Sequence, residues 1–378
     1  MNEQISKFLL ERIAANDFPS AVYLVAEKGG IIYQDALGYA VVEPERKAAT
    51  LDTIYDLASL TKPLVTGLIA ARMIEDKEIY AGDRAGAFLP EFDRSGKRET
   101  TISELATHTS GYAPWIPLYL RTSNPLNVIE TIVDEPLFST PGNSVNYSDL
   151  NFITLARIIE SRKDLRVDIA VEEIFDLLGM SRTSFCPLAP GRGTHGFSRA
   201  EIAASEKGNE YERQTCIEKG YLTTAASGVG LFREHQIWGE VHDGNAWFMG
   251  GIAGHAGLFS TAEEVFKIAL QFMPNYTRFL KPETCRLFRT NFTKGMNEDR
   301  SFAFQLASTD GSTAGMKMSP ESFGHNGFTG TSMWIDPVKE RIFVLLTNRT
   351  HNRRLPFVNI NSVRRHFHDL AINALDSI

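Results

Sequence analysis

Apolar residues recur at Ile5, Phe8, Leu9 and Ile13, and this helical spacing predicts an amphipathic helix that ends before Pro19. The pattern then changes. Residues 21–26 form an almost continuous apolar run, Lys28-Gly29-Gly30 supplies a turn, and residues 31–37 return, as in a hairpin of a well-covered sheet. Leu60, Leu64, Leu68 and Ile69 mark the next helix, with Ser59 placed to cap its first turn and Pro63 where a missing amide costs nothing. From about 76 to 238, helical patterns are broken by Pro and Gly loops and little alternates like a strand. Within that stretch, residues 101–105 open a short helix that leads into Thr107-His108-Thr109-Ser110-Gly111-Tyr112 and on to Trp115. Farther on, Ser148 or Asp149 caps a helix marked by Leu150, Leu155, Ile158 and Ile159, which leaves Tyr147 on the loop just ahead of it.

Past Trp238 the strand pattern returns. Residues 257–260 end a short apolar run, and Thr261 with Glu264 predicts a capping box for a helix over 263–272. Residues 302–306 read as a strand. The aromatic and β-branched runs at 328–335 and 341–347 read as a hairpin across Asp336-Pro337, and Ile360, Val363, Phe367, Leu370 and Ala374 as a closing amphipathic helix. The predicted fold class is α/β of the α+β type. An antiparallel sheet drawn from 1–75 and 239–378 is flanked by helices, a mostly helical region at 76–238 is inserted, and the cleft between the two is the expected site.

Composition narrows the partners. The chain has 378 residues and a formal net charge of -7, which argues against a nucleic-acid or anionic-membrane surface and leaves small molecules open. Cys186, Cys216 and Cys285 are far apart and lack the paired spacing of a zinc site, so neither metal nor other cofactor is expected. No apolar run approaches membrane-spanning length and the first residues do not resemble a secretory signal, so the expected location is the cytoplasm.

The chemistry centres on Ser59-Leu60-Thr61-Lys62. Positions three apart share a helix face, so Lys62 can reach Ser59, and a lysine can serve as the base if burial or nearby positive charge lowers its pKa. Ser59-x-x-Lys62, then Tyr147-Ser148-Asp149, then His325-Asn326-Gly327 resemble, in order and spacing, the three active-site boxes of the serine β-lactamase and penicillin-binding superfamily. The likeness is closest to class C β-lactamase-like esterases and D-amino-acid peptidases. Accessory stretches at 107–112, 138–142 and 324–337 agree, and the resemblance spans roughly residues 20–350.

By that resemblance the protein is a serine hydrolase working through an acyl-enzyme on small esters, amides or peptides. Ser59 is the implied nucleophile, Lys62 the residue that deprotonates it, Tyr147 the proton shuttle, and the amides of Ser59 and Phe328 the oxyanion hole. Asp149, Asn326, Gly327, Tyr112 and Trp115 are the expected substrate contacts, with Gly327 letting a substrate backbone approach closely. His325 replaces the lysine of the related third box. The site is therefore expected to lack the permanent positive charge that holds a β-lactam carboxylate, which favours esters or uncharged amides. Asp149 stands where many β-lactamases have Asn and should raise the Lys62 pKa. β-Lactamase or D,D-carboxypeptidase activity is the alternative, and a non-catalytic binding protein of the same fold is a second one that the complete Ser59, Lys62 and Tyr147 set argues against. His242, Asp243 and His255 fit no standard zinc spacing and are expected to serve structural hydrogen bonds.

Overall fold

The computed structural model describes residues 1–94, 96–189, 196–222 and 230–377. The first helix, α1 (Glu3–Ala14), is capped by Asn2, whose side chain accepts from the amides of Gln4 and Ile5. Strands β1 (Ser20–Glu27) and β2 (Gly30–Val41) follow as the predicted hairpin. Its turn needs left-handed backbone, which Lys28 and Gly29 supply at φ 51° and 76°. In chain order come β3 (Lys47–Ala48), β4 (Tyr55–Asp56), α2 (Leu68–Glu75), α3 (Ile102–Thr107), α4 (Asp149–Lys163), β5 (Ser184–Phe185), β6 (Ala204–Lys207) and β7 (Gln236–Trp238). The last third adds β8 (Leu258–Ser260), α5 (Ala262–Ala269), β9 (Gln305–Leu306), β10 (Phe323–Asn326), β11 (Ser332–Asp336), β12 (Arg341–Thr347) and α6 (Asn361–Asp376).

Among the described residues, seven strands form one antiparallel sheet in the order β3-β2-β1-β12-β11-β10-β9. The two chain ends meet at its centre, where β1 runs against β12 from Ala21 opposite Thr347 to Glu27 opposite Arg341. From Ala21 to Ala26 β1 carries no charged residue because both its faces are covered. Val22, Leu24 and Ala26 enter the larger core, which also holds α2, α3, α4 and α5, whereas Ala21, Tyr23 and Val25 enter a smaller core under α1 and α6. The part of the expected helical insert at 190–195 and 223–229 lies outside the described residues.

Three local expectations are corrected. The predicted 328–335 strand is a turn over 327–331 followed by β11, because Gly327 N donates to Thr331 O and the Thr329 and Thr331 hydroxyls donate to the carbonyls of Asp56 and Leu57. The 302–306 strand shrinks to β9. Thr261 does cap α5 by accepting from Glu264 N, but Glu264 does not close the box. Its carboxylate, buried, instead accepts from the amides of Ser181 and Arg182 and the hydroxyl of Thr183.

Candidate active site

β4 delivers the chain to a tight turn over Ala58–Leu60, and Ser59 sits inside that turn and not at its cap. Asp56 does the capping. Its Oδ1 accepts from Ala58 N at 2.8 Å and its Oδ2 from His242 N at 2.7 Å, which ties the turn to the 239–245 loop. Ala58 takes a left-handed φ of 47°, a strained conformation for a residue with a side chain, directly before Ser59. The next turn, Lys62–Gly67, is wound wide as a π-helix before α2 begins, a distortion common at functional sites. Lys62 is fully buried, and its Nζ donates to Ser59 Oγ at 2.8 Å and to the His255 carbonyl at 3.1 Å. The same ammonium lies 2.6 Å from Asp149 Oδ1 as an ion pair.

The second box enters from the start of α4. Ser148 does not cap that helix, since its hydroxyl donates to Ala113 O. The Tyr147 ring stands 5.0 Å from Lys62 Nζ, 4.5 Å from the His108 ring and 5.7 Å from the His325 ring. The third box comes from β10, which β9 covers only at Phe323 and Gly324, so His325 and Asn326 lie on the uncovered edge. Ser59, Tyr147, Asp149 and His325 thus converge on one cleft of about 790 Å³. Asn326, Gly327, Phe328 and Trp115 line it too. Tyr112 does not: its ring is buried in the larger core with its hydroxyl on Thr100 Oγ1 at 3.2 Å, so it packs the loop beneath the site. Gly327 also has another reason than the one expected. A Cβ there would come within 2.5 Å of Leu57 O and 2.0 Å of Thr331 Oγ1, so the missing side chain lets the third-box turn press against the Ser59 turn.

The charges of the site follow from burial and from its ion pairs. Burial, the largest single influence, lowers the Lys62 pKa, but Asp149 and Tyr147 together raise it by more and the net shift is upward. Lys62 is a charged ammonium at neutral pH. Burial raises Tyr147, and the opposing pull of Lys62 does not cancel it, so the phenol is neutral. His325 is held well below its ordinary value by burial and by Lys62 and Arg300, and its Nδ1 donates to Asn326 O at 2.9 Å, leaving Nε2 buried without a partner among the described residues. The imidazole brings no charge, yet the site does not lack one. Arg300 lines the cleft, with its Cζ 5.3 Å from the centre of the Tyr147 ring. It pairs with Glu298 through Nη2 at 2.6 Å, while Nε and Nη1 are buried with no hydrogen-bond partner among the described residues.

Sequence reasoning missed Arg300, because nothing in its neighbourhood repeats a motif. Arg364 was missed as well: from α6 its Nη2 donates to the carbonyls of Gly327 and Thr331, both at 2.9 Å, and so braces the third-box turn. Glu212, on the cleft wall, is pushed up to about 7 by burial and by Asp243. His242, Asp243 and His255 are engaged in hydrogen bonds. His242 Nε2 meets Glu206 Oε2 at 2.8 Å, and Asp243 Oδ1 faces His255 Nε2 at 3.0 Å while accepting from Ala246 N. Asp149, Asp243 and His255 bring potential ligand atoms within 4.8 Å of one another. The cation in contact with Asp149 is the Lys62 ammonium.

The family model named Beta-lactamase matches residues 5–363. An Escherichia coli (strain K12) protein named "Putative D-alanyl-D-alanine carboxypeptidase" is 30% identical, with 92% of this chain and 82% of that protein covered. A Salmonella typhimurium protein of the same name is 32% identical, over 89% of this chain and 80% of its own. Among solved structures, EstCE1, described as a hydrolase with promiscuous acyltransferase activity, superposes with a TM-score of 0.73 at 19% identity over 97% of both chains. A class C beta lactamase from Rhodobacter sphaeroides gives 0.71 at 16% identity over 99% of both. At such identities these structures speak for the fold alone. No described helix is long and apolar enough to cross a membrane. By the extent of the family match and of its 30%-identical relatives, the chain belongs to the beta-lactamase family of serine hydrolases.

Proposed function

We propose that Ser59 is the nucleophile, that Tyr147 carries its proton to the leaving group, and that the substrates are small esters, amides or short peptides. The observation that supports this most is the contact of Ser59 Oγ with an ammonium that is itself fixed by Asp149, beside a neutral phenol and at the wall of a cleft. Lys62 keeps its proton in this scheme. As Ser59 Oγ bonds to the acyl carbon, its proton passes to the Tyr147 oxygen while the Tyr147 proton passes to the leaving oxygen or nitrogen, so the charge on Lys62 is unchanged throughout. Water then attacks the acyl-enzyme by the reverse route, giving one proton to Tyr147 as Tyr147 returns one to Ser59 Oγ. The Phe328 amide has no hydrogen-bond partner among the described residues and with the Ser59 amide supplies the oxyanion hole; each such donor contributes roughly 3 kcal/mol. His325, neutral and with a spare acceptor at Nε2, suits an uncharged donor on the substrate.

The D,D-carboxypeptidase reading has its own support in Arg300. A guanidinium with two buried nitrogens unpaired among the described residues, beside Tyr147, suits a substrate carboxylate on the leaving side, the group a short peptide ends in. The test is labelling with a fluorophosphonate or p-nitrophenyl acetate read by intact mass. The expected result is a single adduct at Ser59 that is absent from Ser59→Ala. Equal labelling of that variant would overturn the mechanism. Turnover of p-nitrophenyl acetate, D-alanyl-D-alanine and a cephalosporin by the same preparation ranks the substrate classes, and a loss in Arg300→Gln confined to the carboxylate-bearing substrates would favour the second reading.

A further inference from the structure

We propose that His108 is a positioning residue that fixes Tyr147 in register with Ser59 and Lys62, an inference that rests on Tyr147 as the proton shuttle. His108 is fully buried at the end of α3, where it adopts left-handed backbone at φ 59°, ψ 34°. That conformation turns its own carbonyl and its ring toward the same neighbouring segment. The carbonyl accepts from Asn146 N at 2.8 Å, and ring Nδ1 accepts from Ser148 N at 3.1 Å. The residue between these two held amides is Tyr147.

The clamp is built to stay in one protonation state. Nδ1 also faces Asn151 Nδ2 at 3.2 Å, and Asn151 Oδ1 accepts from Ser110 Oγ at 2.6 Å. With two N–H groups directed at it, Nδ1 carries no proton, so the ring proton is on Nε2. Burial and the neighbouring charges of Arg300 and Lys62 keep the imidazole neutral, as the clamp requires. The ring packs 4.5 Å from that of Tyr147 and 5.2 Å from that of Phe152, so one side chain sets both the backbone on either side of the phenol and the surface it rests on. A proton shuttle must stand within hydrogen-bond reach of two partners at once, and displacement by about 1 Å can cost on the order of 10²-fold in rate.

The test is a set of double-mutant cycles with p-nitrophenyl acetate. His108→Asn keeps an acceptor near the Nδ1 position and tolerates left-handed backbone, His108→Gly tolerates the backbone without the acceptor, and His108→Phe keeps a ring without the acceptor. In the unmodified background, Gly and Phe are expected to lower kcat by about 10- to 100-fold with KM within about twofold, and Asn to recover most of that loss. In a Tyr147→Phe background all three should cost less than about twofold, because there is no hydroxyl left to position. Equal losses in both backgrounds, or an Asn variant no better than Gly, would overturn the inference. If melting shows that the Phe variant does not fold, the Asn and Gly pair makes the same decision. A Tyr147→Phe enzyme with full activity would overturn the shuttle itself and this inference with it, whereas a crippled Tyr147→Phe beside unaffected His108 variants overturns only the clamp.

Discussion

Lys62 stands between two oxygens with opposite needs. Ser59 Oγ would be activated by a neutral amine, but Asp149 Oδ1 at 2.6 Å stabilises the ammonium, and the net shift is upward despite complete burial. The residue's role follows from that balance. If Lys62 works charged, activity falls only when pH rises through its raised pKa, and Asp149→Asn, by removing the counter-charge, should bring that alkaline fall to lower pH. A neutral lysine base predicts the reverse, since losing Asp149 would then extend activity further into acid. Profiles of kcat/KM against pH for the two proteins decide between these outcomes, and an acid limb that shifts while the alkaline limb stays fixed would return Lys62 to the role of base. Sequence alone could show that Lys62 reaches Ser59 and that Asp149 would raise its pKa. It could not show which of burial and Asp149 prevails, because that depends on a distance between residues 87 positions apart in the chain.

At the scale of elements, the site is made by pressing two turns together. The Thr329 and Thr331 hydroxyls donate to Asp56 O and Leu57 O at 2.7 and 3.0 Å, so the third-box turn and the Ser59 turn share hydrogen bonds across a chain separation of more than 250 residues. Gly327 is the point of closest approach. In Gly327→Ala the new methyl would meet the Leu57 carbonyl, backbone that leads straight into Ala58 and Ser59, so the two turns must part. The expected outcome is a loss of roughly 10²-fold in kcat/KM with about 1–3 kcal/mol of stability. An alanine variant with near-normal turnover would show that the turns slide freely and that their contact is incidental. These contacts also explain what sequence reading got wrong here. Phe328 and its β-branched neighbours carry strand propensity, but their side-chain hydroxyls and Gly330, at φ 108°, commit the segment to a turn. The β1–β2 hairpin, α1 and α6 were legible because their patterns report burial directly. Arg300 and Arg364 were not, because an arginine's role is set by which carbonyls, rings or carboxylates the fold brings to it.

The whole molecule is layered, with helices on both faces of the sheet, and the smaller core between α6 and the sheet holds a histidine far from the chemistry. His368 is fully buried there, with its ring 5.8 Å from Phe343 and 6.3 Å from Trp334 and its Nδ1 on Thr313 O at 2.8 Å. Burial, with Arg364 as a smaller influence, lowers its pKa from 6.5 to about 3. The sign follows from proton counting. Between those two values the unfolded chain binds a proton at this residue that the folded chain does not, so His368 makes stability fall as pH drops below 6.5, by up to about 1.4 kcal/mol per pH unit until its folded pKa is reached. Glu212, raised to about 7, acts in the opposite direction over part of this range, so the whole-protein curve does not isolate the effect. His368→Asn does, because the amide can still donate to Thr313 O but does not titrate. Urea unfolding between neutrality and about pH 5 should show the variant less stable at neutral pH, through lost packing, yet less sensitive to acid by up to about 1.4 kcal/mol per unit. Parallel curves for the two proteins would mean that His368 charges without opposing the fold, and that the layer beneath α6 admits water.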